Sequence, residues 1–584
     1  MINDEMLLGV RKPAQYIGGE WNVSRKDFSR AEVKFALCFP DLYEVGMSNL
    51  GLRILYGLLN SKDGLVCERF FAPNVDLEQI LRQNSEGCFS LESRQPLKEF
   101  DIVGFSLAYE LCYTNVLNIL DLGNIPLESA SRDEKYPLII GGGPCVMNPE
   151  PMADFFDLFV IGEAEEAILE LVEAFRKLKD KYRSGQLKKE GLLKALAGIE
   201  GVYVPSLYTL EYDEQGHISS FKPKMPQVPE KVKKRFVQDL DKSYFPGDWL
   251  VPYIQIVHDR ITLELMRGCP NSCRFCQARS QYYPLRYRKP RTVLELAEQI
   301  YKNSGYEEIS LLGLSVSDYP KLEELLKPLV CGFKAKGVSV SLPSIKPKTM
   351  LGEMTDLIST IKKTGLTFAP EAASEVLRKK IGKDFDEGDF FRTLEKSYAA
   401  GYQHVKLYFM VGLPFETELD LTGLVDFCTR VSQMRREIAK YPAQVNISIN
   451  TMIPKPHTPL QWFAMLDMEH MREKQEYLRV KIKNRNLKVS FHNAYMSFLE
   501  GVFSRGDRRL APVIVSAFNK GCRFDGWDEY FKFQLWEQSF LECNIQPKEY
   551  LRERKIEEIL PWDFLDVGIA KEQLITEYQA VQIQ

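Results

Sequence analysis

The stretch TLELMRGCPNSCRFCQAR, residues 262–279, joins an apolar strand pattern to three closely spaced cysteines. Cys269, Cys273 and Cys276 follow the spacing C-x3-C-x2-C, and the next cysteine along the chain is Cys331. A structural zinc site is closed by four ligands, whereas an iron–sulfur cluster held by three thiolates leaves one iron open to a substrate or cofactor. The spacing therefore favours a reactive cluster. A zinc knuckle with a distant fourth ligand is the alternative interpretation.

Strand-like and helix-like segments alternate on both sides of this motif, which indicates an α/β fold. A helical pattern follows each strand-like segment of the second half of the chain. These segments are Thr262–Gly268, Glu308–Leu314, Ser339–Ile345, Leu366–Glu371, His404–Pro414 and Gln444–Pro454. Eight such units close a full TIM-type barrel, so six predict a partial (βα)6 barrel whose chemistry lies where the strands end.

The first part of the chain carries a separate series of short, almost wholly apolar strands, as in a parallel sheet that is covered on both faces. They are Val33–Pro40, Asp101–Leu107, Pro137–Gly143 and Leu158–Glu163, and Cys67–Pro73 is a further short strand. This pattern predicts a Rossmann-like, doubly wound domain. We predict an N-terminal segment at 1–31, this domain at 32–181, a linker at 182–248, the barrel at 249–487 and a small C-terminal extension at 488–584, packed on the barrel.

Composition excludes several classes of protein. With 584 residues, 45% hydrophobic and 27% charged, the chain can bury a large core, which excludes disorder as the dominant state. Lys and Arg total 76 against 80 Asp and Glu, so charge does not indicate a nucleic-acid coat, although an RNA substrate needs only a local basic groove. Twelve cysteines are too few for a disulfide scaffold. No apolar run reaches the roughly 20 residues that span a bilayer, so we expect a soluble, cytoplasmic protein without a membrane partner.

The cysteine loop resembles the signature of the radical S-adenosylmethionine (SAM) superfamily. PKPHTPLQW (454–462), SFLEGVFSRGDRRL (497–510) and RFDGWDEYF (523–531) resemble an uncharacterised family within it, which has an N-terminal B12-binding-like domain and a distinctive C-terminal extension. The resemblance implies a [4Fe-4S] cluster whose open iron binds the amino and carboxylate groups of SAM. It also implies reductive cleavage of SAM to methionine and a 5′-deoxyadenosyl radical, with an electron donor such as flavodoxin or ferredoxin.

The resemblance further implies contacts with SAM near the cysteine loop and at the ends of the barrel strands. Phe275 matches the aromatic residue usual before the last cysteine. Ser315 or Ser317, in LLGLSVSD, stands where the family contacts the SAM amino group, although its usual Gly-Gly-Glu form is absent. Glu371 is placed to touch the ribose or amino group, and Gly412, in FMVGLPFET, to hold adenine through the backbone.

Several charged or titratable residues near the same loops have two interpretations. The basic residues after the cysteine loop are Arg279, Arg286, Arg288, Lys289 and Arg291. They either pair with an anionic group of SAM or substrate, or form a solvated loop face. His457 and His492 lie near predicted strand ends and are expected to reach the barrel mouth.

In the N-terminal domain, turns after the strands resemble those of cobalamin-binding domains. The predicted cobalamin-binding residues are Asp41, Tyr43, Gly46, Ser106, Gly141, Gly142 and Gly143. Family members often carry D-x-H-x-x-G, whose histidine ligates cobalt, but here Tyr43 takes the histidine position within DLYEVG. Cobalamin would then bind with water or nothing beneath cobalt; alternatively the domain keeps the shape without the cofactor. The glycines by themselves equally suit a tight turn.

Three functional hypotheses follow. The first is a radical SAM enzyme that uses cobalamin to transfer a methyl group to an unactivated carbon of an unknown substrate. The second keeps the radical chemistry without cobalamin and leads to rearrangement, cyclisation or sulfur insertion, with RNA among the substrates considered. The third is a non-catalytic iron–sulfur or zinc protein, which would form no 5′-deoxyadenosine from SAM.

Overall fold

The apolar strands predicted in the first part of the chain form one sheet in a computed structural model that describes residues 4–341, 366–383 and 385–583. In spatial order its strands are Leu65–Phe71, Val33–Phe39, Ile102–Ser106, Leu138–Gly142, Leu158–Val160 and Val202–Tyr203. The first five run parallel and the last is antiparallel. The parallel strands are almost entirely buried, as expected for a sheet with helices on both faces.

Helices cover this sheet, and polar side chains start several of them. The helices are Leu50–Asn60, Val75–Gln83, Tyr113–Leu122 and Ala164–Arg183. Asn49 accepts a hydrogen bond from the backbone N–H of Leu52 and so caps the first of these helices. The predicted Rossmann-like, doubly wound architecture is confirmed.

The second half of the chain forms two parallel sheets in the described residues. One contains Ile261–Glu264, Glu308–Leu312 and Ser339–Ser341; the other contains Leu366–Glu371, His404–Val411, Gln444–Thr451 and Leu487–Phe491. The described residues show no closure into a full barrel. Residues 342–345 of the third predicted strand lie outside the described residues.

A seventh parallel strand, Leu487–Phe491, extends the predicted series of six and spans the boundary predicted at residue 487. The helices of this half, in the described residues, are Gln277–Gln281, Pro290–Ser304, Leu322–Lys334, Glu375–Lys380, Glu387–Ala399, Glu418–Ala439 and Met468–Lys481. A capping box of Thr417 and Asp420 begins the longest of them. Val405, Leu407, Val445 and Ile447 belong to the apolar core of this half.

The predicted linker contains regular structure. Residues 182–248 include the helix Lys189–Leu196, the edge strand Val202–Tyr203 and an antiparallel hairpin of Tyr208–Tyr212 with Ile218–Pro223. A further short strand, Val232–Lys233, pairs with Leu565–Asp566. The charged and proline-rich composition pointed to an exposed crossing, and strands this short leave little periodic signal.

The C-terminal extension, which the sequence predicts to pack on the barrel, also enters the core of the N-terminal domain. Its helices are Ala494–Arg505, Ala511–Asn519, Phe533–Glu542, Lys548–Leu551 and Lys571–Ile583. The buried carboxylate of Asp525 accepts hydrogen bonds from Thr114 Oγ1 at 2.7 Å and Trp536 Nε1 at 2.9 Å. Asn148 Nδ2 donates to the carbonyls of Ser504 and Gly506. These long-range contacts depend on burial partners that the local sequence does not specify.

Candidate active site

The cysteine loop begins at a position that only glycine fits. Gly268 has φ +87°, and a Cβ placed there would lie 2.8 Å from Leu285 Cα and 2.9 Å from the Tyr282 carbonyl oxygen. Real Cβ atoms do not approach backbone this closely, and left-handed backbone costs other residues roughly 1–2 kcal/mol. The loop ends at the short helix Gln277–Gln281, directly after Cys276. Gly268 thus sets the direction in which the three cysteines leave the strand.

The three thiols are partly buried and influence one another. Burial raises the pKa of Cys273 to about 11, Lys383 opposes that rise, and Cys276 and Cys269 add to it. Burial also raises the pKa of Cys276, although the backbone N–H groups of Arg279 and Ala278 lower it. A metal centre would supply the positive charge that thiolates at these positions need, and its binding would release protons. Within the described residues, no three Cys, His, Asp or Glu side chains converge as ligands of a single ion.

One side of the loop contacts the turn after the second barrel strand. Asn271 Nδ2 lies 3.2 Å from both Cys269 Sγ and Asp318 Oδ2. Ser315 Oγ donates to the same Asp318 oxygen at 2.6 Å, and Ser317 belongs to the turn Val316–Asp318. The predicted serines therefore do lie beside the cysteine loop. Sequence reasoning missed Asn271 and Asp318, although both lie within stretches that it singled out.

The other side of the loop contacts the region after the fourth barrel strand. The backbone N–H of Arg274 donates to the Ile381 carbonyl at 2.9 Å. Glu371 ends that strand, and Lys383 Nζ lies 3.6 Å from its carboxylate. Burial raises the pKa of Glu371, although Lys383 opposes the rise. The charge of Glu371 also raises the pKa of Cys273, so this predicted residue lies within electrostatic reach of the loop.

Phe275 and Gly412 occupy the same end of the barrel. The Phe275 ring packs against an apolar cluster of Ala372, Leu377, Ile381, Leu413, Met452, Leu460 and Val581. The backbone N–H of Gly412 donates to Glu416 Oε2 at 3.0 Å. This hydrogen bond holds Gly412 just after the fifth strand and occupies its backbone N–H.

The predicted cobalamin-binding residues separate into two groups. Ser106, Gly141, Gly142 and Gly143 line a cavity of about 370 Å³ between the N-terminal sheet and the barrel, whose barrel side includes Glu264, Arg267, Tyr282 and Leu312. An added Cβ at Gly142 would approach only the Val160 carbonyl, at 3.8 Å, so this part of the floor is open. Gly143 has φ +101°. These four residues lie at the carboxyl ends of the strands, as predicted.

The second group lies outside that cavity. Asp41 Oδ1 accepts a hydrogen bond from Trp527 Nε1 at 2.9 Å. Tyr43 is fully buried, and its hydroxyl donates to Glu20 Oε1 at 2.9 Å. Gly46 is buried at the end of the same helical turn, Tyr43–Gly46. The structure thus uses the DLYEVG motif to join the N-terminal segment and the C-terminal extension to the sheet.

Buried ion pairs join the sheet to the barrel beside this cavity. Glu163 lies 2.6 Å from Arg286 and 3.0 Å from Arg267, and Arg267 also lies 2.8 Å from Glu264. Glu163 keeps a lowered pKa because Arg286 and Arg267 outweigh the effect of its burial. Losing one partner of such a buried pair is strongly destabilising. Arg286 is therefore a structural link between the domains.

The other basic residues after the cysteine loop also have partners within the chain. Arg279 contacts Glu577, Arg288 contacts Glu264, Lys289 contacts Asp241 and Arg291 contacts Glu295. Of the two predicted histidines, His492 lies at the barrel mouth, where it lines a cavity. His457 is buried, and its Nε2 contacts the Met147 carbonyl oxygen at 3.0 Å. Burial lowers the pKa of His457 to about 3, so it is a neutral packing residue.

Two family models match the chain. The model described as radical SAM proteins, N-terminal, covers residues 51–205, and the model of the radical SAM superfamily covers residues 263–428. An uncharacterised protein from Methanocaldococcus jannaschii is 30% identical over 481 residues, which cover 82% of this chain and 90% of that one. The described residues contain no helix that is both long and apolar enough to cross a bilayer.

Two more distant proteins are also similar. Threonylcarbamoyladenosine tRNA methylthiotransferase MtaB from Thermotoga maritima is 23% identical over 399 residues, covering 64% of this chain and 80% of that one. The solved radical SAM methyltransferase TsrM from Kitasatospora setae, with tryptophan and a SAM analogue bound, gives a TM-score of 0.45 at 14% identity over 74% of this chain and 75% of that one.

Proposed function

Because this chain belongs to the radical SAM superfamily, we propose that Cys269, Cys273 and Cys276 hold a [4Fe-4S] cluster and that the protein uses SAM for radical chemistry on an unidentified substrate. When bound and given one electron by a donor such as flavodoxin or ferredoxin, the cluster and SAM supply a 5′-deoxyadenosyl radical and methionine. The observation that carries the proposal is the loop itself. Three mutually interacting thiols follow the parallel strand Ile261–Glu264 and the short strand Met266–Arg267, which pairs antiparallel with Arg286–Tyr287. They therefore lie beyond the carboxyl end of a parallel strand, where this architecture places active sites.

The residues around the loop suit this role. Asn271 donates toward Cys269 Sγ, and the backbone N–H groups of Ala278 and Arg279 act on Cys276, so the protein provides donors to two of the three sulfurs. Hydrogen bonds to the charged form favour a thiolate. Arg274 fixes the middle of the loop to the barrel through the Ile381 carbonyl. The donor set and its supports therefore fit a cluster ligated by three cysteines.

Side chains on two neighbouring barrel loops suit the polar groups of SAM. Asp318 and Ser315 face the loop from the second strand, and Glu371 faces it from the fourth. Carboxylate and hydroxyl oxygens accept hydrogen bonds from an ammonium group, which favours these residues as partners of the SAM amino group. Asp318 takes this role in addition to the predicted Ser315 and Ser317.

Anaerobic reconstitution with iron and sulfide tests the proposal. We expect about four irons per chain in the wild type, a changed electron paramagnetic resonance spectrum of the reduced cluster on adding SAM, and 5′-deoxyadenosine as a product. Cys269→Ala, Cys273→Ala and Cys276→Ala should each lose the cluster and the product. Cys331→Ala is the matched control, because Cys331 is exposed on the helix Leu322–Lys334. Zinc in place of iron, or 5′-deoxyadenosine from the cysteine variants, would contradict the proposal.

We also propose that the cavity lined by Ser106 and Gly141–Gly143 takes cobalamin and that the reaction is a methyl transfer to an unactivated carbon. The support is the position of the cavity at the strand ends, facing the barrel, and the open floor at Gly142. Tyr43 is buried and bonded to Glu20, so the chain would supply no ligand beneath cobalt from that position. A corrin ring exceeds about 370 Å³, so cobalamin would extend beyond this cavity.

The cobalt content after purification with hydroxocobalamin tests this second step. Gly142→Leu should fill the open floor and lower the bound cobalt and the visible absorbance of cobalamin. Gly332→Leu is the control, because that glycine has open space around it on a helix of the barrel. Cobalt retained equally by both variants would count against this cavity.

The similarity to a tRNA methylthiotransferase favours a second candidate, sulfur insertion into RNA without cobalamin. It predicts activity in preparations that contain no cobalt, together with a sulfur-containing RNA product. Mass spectrometry of RNA nucleosides after incubation with the reconstituted protein separates this candidate from methyl transfer.

A further inference from the structure

We propose that a cavity of about 410 Å³ beside Phe275 is the substrate pocket and that it receives a group consisting of a short apolar chain with a protonated amine. This inference rests on the proposed function, because it takes the adjoining cysteine loop as the reaction centre. The volume lies in the range of small-molecule sites, which is about 300–1,000 Å³.

The cavity lies where the proposed chemistry needs it. Phe275, directly before Cys276, forms one wall. Met410 comes from the fifth barrel strand, while Asn450 and Thr451 end the sixth. The carboxyl ends of the strands and the cysteine loop therefore share this space. A group bound here lies next to the residue that precedes the last proposed iron ligand.

The two other parts of the chain complete the wall. Tyr109 comes from the N-terminal domain, and Ser497 and Glu500 come from the helix Ala494–Arg505 of the C-terminal extension. His492, whose Nδ1 lies 2.7 Å from Ser497 Oγ, stands just before that helix. This arrangement gives the extension a direct place in the pocket, in addition to its packing role.

Two carboxylates and one ammonium group lie at one end of the cavity, and burial raises the pKa of the Glu110 carboxyl, although Lys455 opposes the rise. Lys455 Nζ lies 2.6 Å from Glu110 Oε1 and 2.8 Å from Glu500 Oε1, so one ammonium group is shared by two carboxylates. Although burial opposes its charge, Glu110 and Glu500 raise the pKa of Lys455, which stays protonated. A second positive charge from a ligand would balance the cluster, whereas an anionic ligand would add to the imbalance.

Hydrogen bonding and apolar surface define the rest of the ligand. Tyr109 Oη donates to Glu500 Oε2 at 2.8 Å and holds that carboxylate against the cavity wall. The Glu500 side chain is 14% exposed, so its charge is only partly screened by water. Phe275, Met410 and Ile453 add apolar surface to the lining of the cavity. A short alkyl chain fits these side chains, and an amine fits the carboxylate end.

Isothermal titration calorimetry on the full-length, reconstituted protein tests the proposal with three probes of equal chain length: n-butylamine, butan-1-ol and butyrate. We expect butylamine to bind at least about tenfold more tightly than the other two, which corresponds to one favourable charge interaction of about 1.4 kcal/mol. Glu500→Gln should remove most of this preference. Glu542→Gln is the matched control, because Glu542 pairs with Lys520 on the surface of another helix.

Filling the cavity provides a second, independent variant. Met410→Trp enlarges an apolar side chain of the lining and should abolish butylamine binding without touching the charged end. Equal binding of butyrate and butylamine, or full butylamine affinity in Glu500→Gln and Met410→Trp, would overturn the inference. Iron content is measured on the same samples. A missing cluster would therefore count against the proposed function, and missing amine binding with an intact cluster would count against the pocket alone.

Discussion

Arg279, three residues after the last cysteine, and Glu577 of the helix Lys571–Ile583 form a two-bonded ion pair with N–O distances of 2.6 and 2.7 Å. The same helix places Val581 in the apolar cluster that receives Phe275. Lys380, from the segment that contacts the other side of the loop, donates to the Val581 carbonyl at 3.1 Å. The helix Lys571–Ile583 therefore contacts the cysteine loop and the adjacent segment around Lys380, and stabilises both.

Removing this ion pair should loosen the C-terminal helix. Because a two-bonded guanidinium–carboxylate pair that is mostly buried contributes about 1 kcal/mol, Glu577→Gln should raise the rate of limited proteolysis within Lys571–Ile583 about fivefold. The exchange Arg279→Glu with Glu577→Arg should restore much of the resistance. Glu572→Gln, on the exposed face of the same helix, is the control. Equal proteolysis of all variants would show that the pair contributes nothing to docking.

Gly268 should tolerate no side chain. Gly268→Ala forces a Cβ to within 3.0 Å of three backbone atoms and should lower the iron content after reconstitution by more than half. Gly305→Ala is the control for backbone strain without a steric clash. Gly305 also has a positive φ, +70°, but no atom lies within 4 Å of its Cβ position. We expect Gly305→Ala to lose only about 1–2 kcal/mol of stability and no iron. Iron content that is unchanged in Gly268→Ala would refute this account of the loop.

Lys234 should stabilise the segment that follows the cysteine loop. Its Nζ donates to the carbonyls of Ser280 and Gln281, the last two residues of the helix Gln277–Gln281, and of Tyr283 just beyond it. Lys234→Met leaves three carbonyls without this donor and should destabilise the fold by about 3 kcal/mol and reduce iron retention. The neighbouring Lys233→Met is the control, since Lys233 is exposed and pairs with Glu200 at 3.5 Å. Thermal melting and iron analysis of both variants measure the difference.

The contact between the C-terminal extension and the N-terminal domain should depend on pH. Burial raises the pKa of Asp525 to about 6 from an ordinary value of 3.8, although Trp536 and Thr114 oppose the rise. The unfolded state therefore loses its proton first, so this group's contribution to stability is greatest below about pH 4 and falls until about pH 6. The total loss is about 3 kcal/mol at 1.36 kcal/mol per unit.

Asp525→Asn removes this titration and keeps both hydrogen-bond positions. The Tm of the variant relative to the wild type should rise between pH 4 and pH 7 and stay level above that. Other titrating groups are common to both proteins and cancel in the difference. Parallel Tm profiles for the two proteins across this range would contradict the role assigned to Asp525.

The sequence predicted those features that depend on neighbours along the chain. Apolar runs such as Ile102–Ser106 identified the strands, and the cysteine spacing identified the loop, because both are local patterns. The sequence also placed Ser315 and Glu371 at the same end of the barrel, because the carboxyl ends of parallel strands lie together. The fold class and the arrangement of these residues around the loop were therefore accessible without coordinates.

Features set by distant partners were not accessible. Tyr43 occupies the sequence position of a cobalt-ligating histidine, but its hydroxyl is buried and donates a hydrogen bond to Glu20. Arg286 was expected to pair with an anionic group or to lie on a solvated loop face, but it is buried against Glu163, more than a hundred residues earlier. The hairpin in the predicted linker and the strand pairing of Val232–Lys233 with Leu565–Asp566 depend on segments that no local pattern connects.

The attachment of the Lys571–Ile583 helix to the cysteine loop has a consequence for biosynthesis. Domains generally fold as the ribosome releases them, from the amino end onward. The loop is therefore made some 300 residues before Glu577 and Val581 emerge to cover it. During that interval the loop that carries the three sulfurs lacks the contacts of Arg279 with Glu577 and of Phe275 with the Val581 cluster, and iron delivery and oxidation compete for an unsupported loop.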